Sequence, residues 1–155
     1  MTSVNSAQSD ELDELQEAAV QRALTLDGFG LFFQPRVGKT RTALAIVRRR
    51  LDVDFLLIVA PKNILHVWEK AIADGGVRAG VITKISHYEA MPNRKIRRHL
   101  RETLKQYRAP MVILDEAHRI KKRSSKQSEA CRTLSACSEC RLALTGTPIA
   151  QGLQD

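Results

Sequence analysis

The chain has 155 residues, of which 43% are apolar and 27% charged, so it is long enough for one domain with a buried core and differs from a disordered tail. Its net charge is +8, but the first 35 residues hold six acidic residues and one basic residue, which leaves +13 on the rest. No segment approaches the roughly 20 apolar residues of a membrane span, and the polar, acidic start does not resemble a secretory signal. The basic body favours a polyanionic partner.

Helical and strand patterns alternate along the chain. Residues 1–9 are small and polar, and we expect them to be flexible. The pattern then predicts, in chain order, a helix over 10–23, a strand over 31–33, a helix over 39–50, a strand over 55–59, a helix over 62–73, a strand over 81–85, a helix over 93–107, a strand over 111–114, a helix over 128–136 and a strand over 141–144. The strands over 31–33, 55–59 and 111–114 are continuous apolar runs, which indicates that both faces of the sheet are covered, and the strand over 81–85 is weaker. Residues 10–155 are therefore predicted to form an α/β domain with a mainly parallel central sheet.

Three cysteines, Cys131, Cys137 and Cys140, lie in one short stretch. An odd number of crowded cysteines does not fit a disulfide framework and indicates a reducing compartment. A closed zinc site needs four ligands, and the sequence has no second cysteine pair, so we expect no zinc. These features predict a cytoplasmic protein.

The strongest local motif is Gly38-Lys39-Thr40, between a predicted strand and a predicted helix. A phosphate-binding loop needs backbone N–H groups at a helix N-terminus, a lysine for the β and γ phosphates and a hydroxyl for Mg²⁺. The first glycine of the full pattern is missing, because position 33 is Phe. Taken alone, the motif fits equally an ordinary helix start with an exposed lysine.

Asp115 and Glu116 follow the apolar strand predicted over 111–114. The carboxyl end of a strand in an open α/β sheet is where ligands bind. One carboxylate there can hold Mg²⁺ through water, and its neighbour can orient an attacking water. The alternative is a capped helix start, which the phosphate-loop motif upstream disfavours.

Asp115-Glu116-Ala117-His118 matches the box-two signature of the superfamily 2 helicase-like ATPases, and Gly38-Lys39-Thr40 resembles their box one. Gln16 stands where these proteins have an adenine-reading glutamine. The resemblance is to the Swi/Snf-related branch, of phage or bacterial type, and rests on three further segments: Ile58-Val59-Ala60-Pro61-Lys62 with Trp68 as box Ia, Ile85-Ser86-His87-Tyr88-Glu89, and Leu144-Thr145-Gly146-Thr147-Pro148-Ile149 as box three.

The resemblance implies a three-layer, RecA-like P-loop lobe that uses ATP and Mg²⁺. Lys39, Asp115 and Glu116 would be catalytic: Lys39 would contact the β and γ phosphates, and Glu116 would position or deprotonate the water. Thr40 and Asp115 would hold the Mg²⁺. The nucleotide-binding set implied is Gln16, Arg36, Val37, Gly38, Lys39, Thr40, Arg41, Asp115, Glu116, His118 and Thr145, with His118, Thr145 and Thr147 linking nucleotide state to movement.

The resemblance also implies a nucleic-acid partner. Residues that would touch it are Pro61, Lys62, Lys121, Lys122 and Arg123. Aromatic residues make up only 5% of the chain, so backbone contact, most simply to DNA, is favoured over base stacking. A bacterial or phage-infected cytoplasm is the expected location.

Two departures from the family pattern stand out. Arg36 occupies the position of the second loop glycine, and arginine enters positive φ less readily than glycine, so the loop path is expected to differ. Its guanidinium could reach a phosphate or a carboxylate, or could point into solvent. The sequence also stops just after box three, so the second RecA-like lobe with its arginine fingers is expected to lie outside this chain.

A basic stripe follows the helix predicted over 93–107. Cations recur every three or four residues, opposite the apolar positions Ile96, Leu100 and Leu104. The stripe fits either a solvated helix face or a surface that lies on phosphates. Its members are Arg94, Arg98, Arg101, Lys105 and Arg108.

These observations favour the ATP-binding lobe of a DNA-dependent ATPase, helicase or translocase, incomplete without a second lobe. One alternative is a lobe that binds nucleotide or DNA without turnover. Another is a different P-loop enzyme such as a nucleotide kinase, for which the segments resembling boxes Ia and III would have no use.

Overall fold

The computed structural model describes residues 11–146. Five strands form one sheet in the order β1-β5-β4-β2-β3, and every neighbouring pair is parallel. The strands are β1 (Gly28–Leu31), β2 (Phe55–Ala60), β3 (Ile82–His87), β4 (Pro110–Leu114) and β5 (Cys140–Leu144). The α-helices are α1 (Glu14–Leu24), α2 (Lys39–Arg49), α3 (Leu65–Ala71), α4 (Arg94–Leu104) and α5 (Lys126–Ser135). This confirms the predicted α/β fold with a parallel sheet, and none of the described helices could cross a membrane.

Successive residues of the central strands enter two different cores. Leu56 and Ile58 of β2 pack with α1, α2 and α3, whereas Leu57 and Val59 pack with α4 and α5. Because β2 is covered on both faces, all six of its residues are buried. The domain therefore has three layers, with the sheet between two layers of helices.

The first strand lies earlier than predicted. The sequence predicted a strand over 31–33, with Gly28 and Gly30 as helix breakers, but β1 covers Gly28–Leu31 and Phe32 is 61% exposed. β1 is an edge strand, where a missing side chain removes little packing. The Phe32 ring lies over Gly30, since a Cβ there would be 2.7 Å from Phe32 Cζ. The glycines thus belong to the strand, and Phe32 belongs to the loop that follows it.

Side-chain caps set the helix starts that the periodicity placed a few residues away. Asp13 Oδ1 accepts the Gln16 backbone N–H at 2.8 Å, and Gln16 Oε1 accepts the Asp13 N–H at 3.2 Å. This capping box starts α1 at Glu14 rather than at residue 10. The Ser125 side chain likewise caps α5, which begins at Lys126 rather than at residue 128.

The segment predicted as one helix over 62–73 has three parts. A 3₁₀ turn (Lys62–Ile64) leads into α3, and a wider π turn (Ile72–Gly76) follows it. Gly75 has φ +86°, a left-handed conformation that favours glycine and stops the helix.

Candidate nucleotide-binding site

Three segments emerge side by side at the carboxyl edge of the sheet, because β1, β5 and β4 are parallel neighbours. The phosphate loop (residues 32–38) follows β1, the acidic box (residues 115–118) follows β4, and Thr145 follows β5. Residues far apart in the sequence therefore meet at one place, the usual ligand-binding edge of an open α/β sheet.

The phosphate loop ends at Gly38, the N-cap of α2, which has φ +76°. Gln16 of α1 packs against it: its side-chain amide donates to the Val37 carbonyl at 3.0 Å, and a Cβ at Gly38 would be 2.5 Å from Gln16 Nε2. Only glycine fits this contact and this φ together. Gln16, the predicted adenine-reading glutamine, thus lies against the phosphate loop.

Arg36 has φ +68°, a left-handed conformation that glycine adopts more readily than arginine. The expectation of a loop path different from the family's stays a prediction. Such a conformation costs a non-glycine residue about 1–2 kcal/mol. The Arg36 side chain is exposed.

Lys39, the first residue of α2, reaches across the site. Its Nζ lies 3.5 Å from the Phe33 carbonyl oxygen and 3.3 Å from where a Cβ on Gly146 would stand. Thr40 follows it, half-buried, in the first turn of α2. The guanidinium of Arg41, by contrast, donates to the Glu11 carbonyl and ties down the chain before α1.

Asp115 is 5% exposed and both of its carboxylate oxygens accept a hydrogen bond. The Trp68 indole N–H donates to Oδ2 and the Glu116 backbone N–H donates to Oδ1, each at 2.8 Å. Burial raises the pKa of Asp115 above its usual range, and these two donors and the Lys39 charge oppose that rise. The Tyr88 hydroxyl donates to the Asp115 backbone carbonyl at 2.7 Å, so the residue is held from both ends.

Glu116 links the acidic box to the segment after β5. It has φ +50°, and its Oε2 lies 3.1 Å from His118 Nδ1. The same nitrogen lies 3.1 Å from Thr145 Oγ1. A protonated Nδ1 donates to the Glu116 carboxylate, whereas an unprotonated Nδ1 accepts from the Thr145 hydroxyl. Thr147, the other box-three threonine predicted to act here, lies outside the described residues, as do Pro148 and Ile149.

The side chains at this edge suit Mg²⁺. Carboxylates and hydroxyls are the oxygen ligands that Mg²⁺ takes, and Asp115 retains free lone pairs beside its two hydrogen bonds. Within residues 11–146 no cluster of three or more His, Cys, Asp and Glu side chains could cage a metal ion. Asp115 and Thr40, the two residues predicted to hold Mg²⁺, supply a buried carboxylate and a half-buried hydroxyl.

The predicted nucleic-acid contacts lie beside this site. Lys62 is exposed in the turn after β2. Pro61 is buried, and its carbonyl accepts the Ile64 N–H at 3.1 Å. Lys121, Lys122 and Arg123 are exposed in the loop before α5. Four exposed cations thus remain candidates, while Pro61 shapes the turn that presents Lys62.

Trp68 and Tyr88 are site residues whose contact with Asp115 the sequence reasoning did not find. In the sequence, Trp68 stands only as part of the segment that resembles box Ia. Its hydrogen bond to Asp115 joins residues that are 47 positions apart. The available signal was chemical: a buried indole or phenol must find a hydrogen-bond partner. Which partner it finds depends on how α3 packs against the sheet.

The protein-family model described as "SNF2-related domain" matches residues 75–155, which is more than half of the sequence. The chain belongs to this family. The shared region includes the acidic box and the segment after β5, where Asp115, Glu116, His118 and Thr145 meet.

Sequence similarity to two RAD5 proteins supports this family assignment. The chain is 30% identical to the DNA repair protein RAD5 of Yarrowia lipolytica, over 90% of this chain and 16% of that protein. It is 33% identical to the DNA repair protein RAD5 of Gibberella zeae, over 64% of this chain and 11% of that protein. The chain thus spans less than a fifth of the length of these relatives.

A solved structure shares the fold. The UvsW helicase from bacteriophage T4 superimposes with a TM-score of 0.63 at 18% identity, over 88% of this chain and 53% of that one. This likeness supports the RecA-like three-layer architecture.

Proposed function

We propose that the chain is the first, ATP-binding lobe of a motor that hydrolyses ATP to move on DNA. The observation that carries the proposal is the meeting of Lys39, Asp115 and the Glu116–His118–Thr145 cluster at one sheet edge. A lysine, two carboxylates and a left-handed glycine at a helix start are the parts that phosphoryl transfer needs.

Each side chain has a task in this proposal. Lys39 and the backbone N–H groups at the start of α2 bind the β and γ phosphates. Asp115 and Thr40 would hold Mg²⁺, and the ion would supply positive charge to the transferred phosphoryl group. Glu116 positions the attacking water and accepts its proton. The buried hydrogen bonds from Trp68 and Glu116 N–H fix the Asp115 carboxylate before nucleotide arrives.

His118 is suited to report the state of the nucleotide. Its Nδ1 lies at the same distance from Glu116 and from Thr145, so a change at Glu116 alters the bond to the segment after β5. We propose that this contact links hydrolysis to movement against a second lobe, which would supply arginine to the γ phosphate.

The proposed track is the DNA backbone, and the proposed location is the cytoplasm. Two relatives are named as DNA repair proteins, and Lys62 and residues 121–123 present cations beside the site. Burial raises the pKa of Cys131 to about 12 and raises that of Cys140, so both are stable as neutral thiols in a reducing compartment.

Phosphate-release assays test the proposal. The chain alone should hydrolyse Mg-ATP slowly and with little stimulation by DNA, because the arginine proposed to reach the γ phosphate belongs to the second lobe. Addition of a second lobe should raise the rate. Robust, DNA-stimulated turnover by the chain alone that survives Arg36→Ala would overturn the division into lobes.

DNA binding supplies a second readout. Because phosphate contacts release counterions, affinity should fall steeply between low and physiological salt and should not depend on sequence. Affinity that does not change with salt, or a strong preference for one sequence, would contradict backbone tracking.

A further inference from the structure

A basic groove lies on the solvent side of the α4–α5 layer, on the opposite face of the sheet from α2. Its volume is about 680 Å³. Thr133 of α5 forms one wall. The other wall is α4, which contributes Arg94, Lys95, Arg97, Arg98, Arg101 and Glu102.

Most of the charge in the groove is unneutralised. Glu102, the one acidic residue among the described residues that line the groove, forms an ion pair with Arg98, with Oε1 2.8 Å from Nε. Arg94, Lys95 and Arg97 form no side-chain hydrogen bond or ion pair with any residue of the described chain. The groove therefore presents a concentrated positive field to solvent.

The positions of these cations weaken the helix that carries them. The first turn of α4 contains no acidic residue, although the helix dipole favours anions there. Arg94 lies three and four residues before Arg97 and Arg98, and Arg101 lies four and three residues after them, spacings at which like charges on a helix repel. The helix is held in place by Leu100 and Leu104, which are almost fully buried. The arginines at the start of α4 are unfavourable for the helix dipole and repel one another. An anion in the groove would reduce both effects and stabilise the helix.

The form of the charge favours a nucleic-acid backbone. Four of the five cations are arginines, whose fork matches phosphate oxygens in a bidentate way. From Arg94 to Arg101 the stripe rises about 10 Å, the axial length of roughly three phosphates on one DNA strand. Among residues 11–146 no aromatic side chain lines the groove, so these residues offer bases nothing on which to stack.

We infer that the basic groove binds the backbone of a second segment of nucleic acid, separate from the track beside Lys62 and residues 121–123. The inference rests on the proposed function to the extent that the chain acts on nucleic acid. The basic groove would be a second DNA-binding surface, on the α4–α5 side of the sheet. It would hold DNA while residues at the carboxyl edge of the sheet bind the track.

Charge reversal tests the groove directly. Arg94→Glu with Arg97→Glu places acids in the first turn of α4, where the dipole stabilises them, so the variant should fold. The matched control is Arg22→Glu with Lys70→Glu on α1 and α3, which changes the net charge equally on the opposite face. Circular dichroism and Mg-ATP affinity should be unchanged in both variants.

The readout is anisotropy of a labelled 40-base-pair duplex at several salt concentrations. The groove variant should lose about 10-fold in affinity, and its salt slope should fall by about 2, one unit for each lost phosphate contact. The control should lose less than about 2-fold. When the groove substitutions are combined with Lys62→Glu and Lys122→Glu, the fold-losses in DNA affinity should multiply, because the effects of two separate surfaces are independent.

Two results would overturn the inference. Equal losses in the groove variant and the control would show a general effect of net charge, while wild-type binding of DNA and Mg-ATP would leave the proposed function standing. Binding of polyglutamate that depends on the groove, with DNA affinity unaffected by the reversal, would identify an acidic protein segment as its partner. Failure of the wild-type chain to bind Mg-ATP would instead count against the proposed function itself.

Discussion

The phosphate loop and the acidic box follow neighbouring parts of the same sheet edge, and each contains one non-glycine residue with positive φ. In the acidic box, Glu116 is held on both sides, since its N–H donates to Asp115 and its carboxylate contacts His118. In the phosphate loop, Arg36 is exposed and its side chain contacts none of the described residues through a hydrogen bond or ion pair. Both conformations cost about 1–2 kcal/mol, but only one of them is offset by protein contacts.

The difference indicates that the two segments are prepared in different ways. The acidic box is fixed by buried side chains before any ligand binds. The phosphate loop is fixed at Val37 and Gly38 by Gln16, whereas no contact with the described residues offsets the strain at Arg36, and we propose that bound phosphate does so. The following variants test this contrast, from the largest expected effect to the smallest.

Lys39→Ala should reduce Mg-ATP affinity by at least about 100-fold, because the loop depends on this side chain for its charge at the β and γ phosphates. Calorimetric titration measures the effect. Lys70→Ala, which removes an exposed lysine paired with Asp74, is the control and should bind like wild type. Equal affinities of wild type and Lys39→Ala would refute the assignment of the loop.

Trp68→Phe should lower the free energy of unfolding by about 2 kcal/mol, because it removes a donor from a buried carboxylate. Urea denaturation measures the change, and the exposed Val67→Ala should stay within about 0.5 kcal/mol of wild type. Because the substitution also removes volume, a double-mutant cycle with Asp115→Asn isolates the hydrogen bond. A coupling of about 1 kcal/mol or more is expected, and strict additivity would show that Trp68 acts only by packing.

Tyr88→Phe should cost about 1.5 kcal/mol, since the buried Asp115 carbonyl loses its phenol donor and gains no water. Burial raises the pKa of Tyr88 above its usual range, so the hydroxyl remains a donor at pH 9. The loss should therefore be the same at pH 6 and pH 9 in urea denaturation. A loss that vanishes at pH 9 would mean that the hydroxyl ionises and does not hold the carbonyl.

Arg36→Gly and Glu116→Gly compare the two strained positions directly. Arg36→Gly should raise the free energy of unfolding by up to about 1 kcal/mol, because it relieves strain and removes no contact to the described residues. Glu116→Gly should stay within about 0.5 kcal/mol of wild type, because the same relief is offset by the lost contact with His118. Arg36→Gly should also weaken Mg-ATP binding a few-fold. If both variants gain the same free energy of unfolding, protein contacts offset the strain at Glu116 in the acidic box no better than at Arg36 in the phosphate loop.

The sequence predicted the order and type of the elements because continuous apolar runs report burial on both faces of a parallel sheet. It misplaced β1, because glycines in an edge strand look like breakers and the Phe32 ring that covers Gly30 looks like core. Helix starts shifted by a few residues where a cap, such as Asp13 or Ser125, overrode the apolar period.

Within the site, the positions of Lys39, Asp115 and Glu116 followed from motifs at strand ends. The bonds that hold them did not, because the Trp68–Asp115 and His118–Thr145 contacts join different elements. Local sequence reports propensity and period, but such contacts depend on helix rotation and strand order. The left-handed Arg36 was also beyond the sequence, since an arginine at a glycine position predicts a changed path as readily as a strained one.

The pairing of β1 with β5 places the first strand beside the last, with Gly28 opposite Arg141 and Leu31 opposite Leu144. Between them run the other three strands and four of the five helices. During synthesis the phosphate loop therefore leaves the ribosome long before the strand that supports it, and the Thr145 N–H that bonds to the Leu31 carbonyl comes later still. Since long-range parallel pairing is slow, nucleotide capture must be among the last events of folding. Until residues 140–145 have been synthesised, β1 has neither its partner strand nor the Thr145 N–H that bonds to the Leu31 carbonyl.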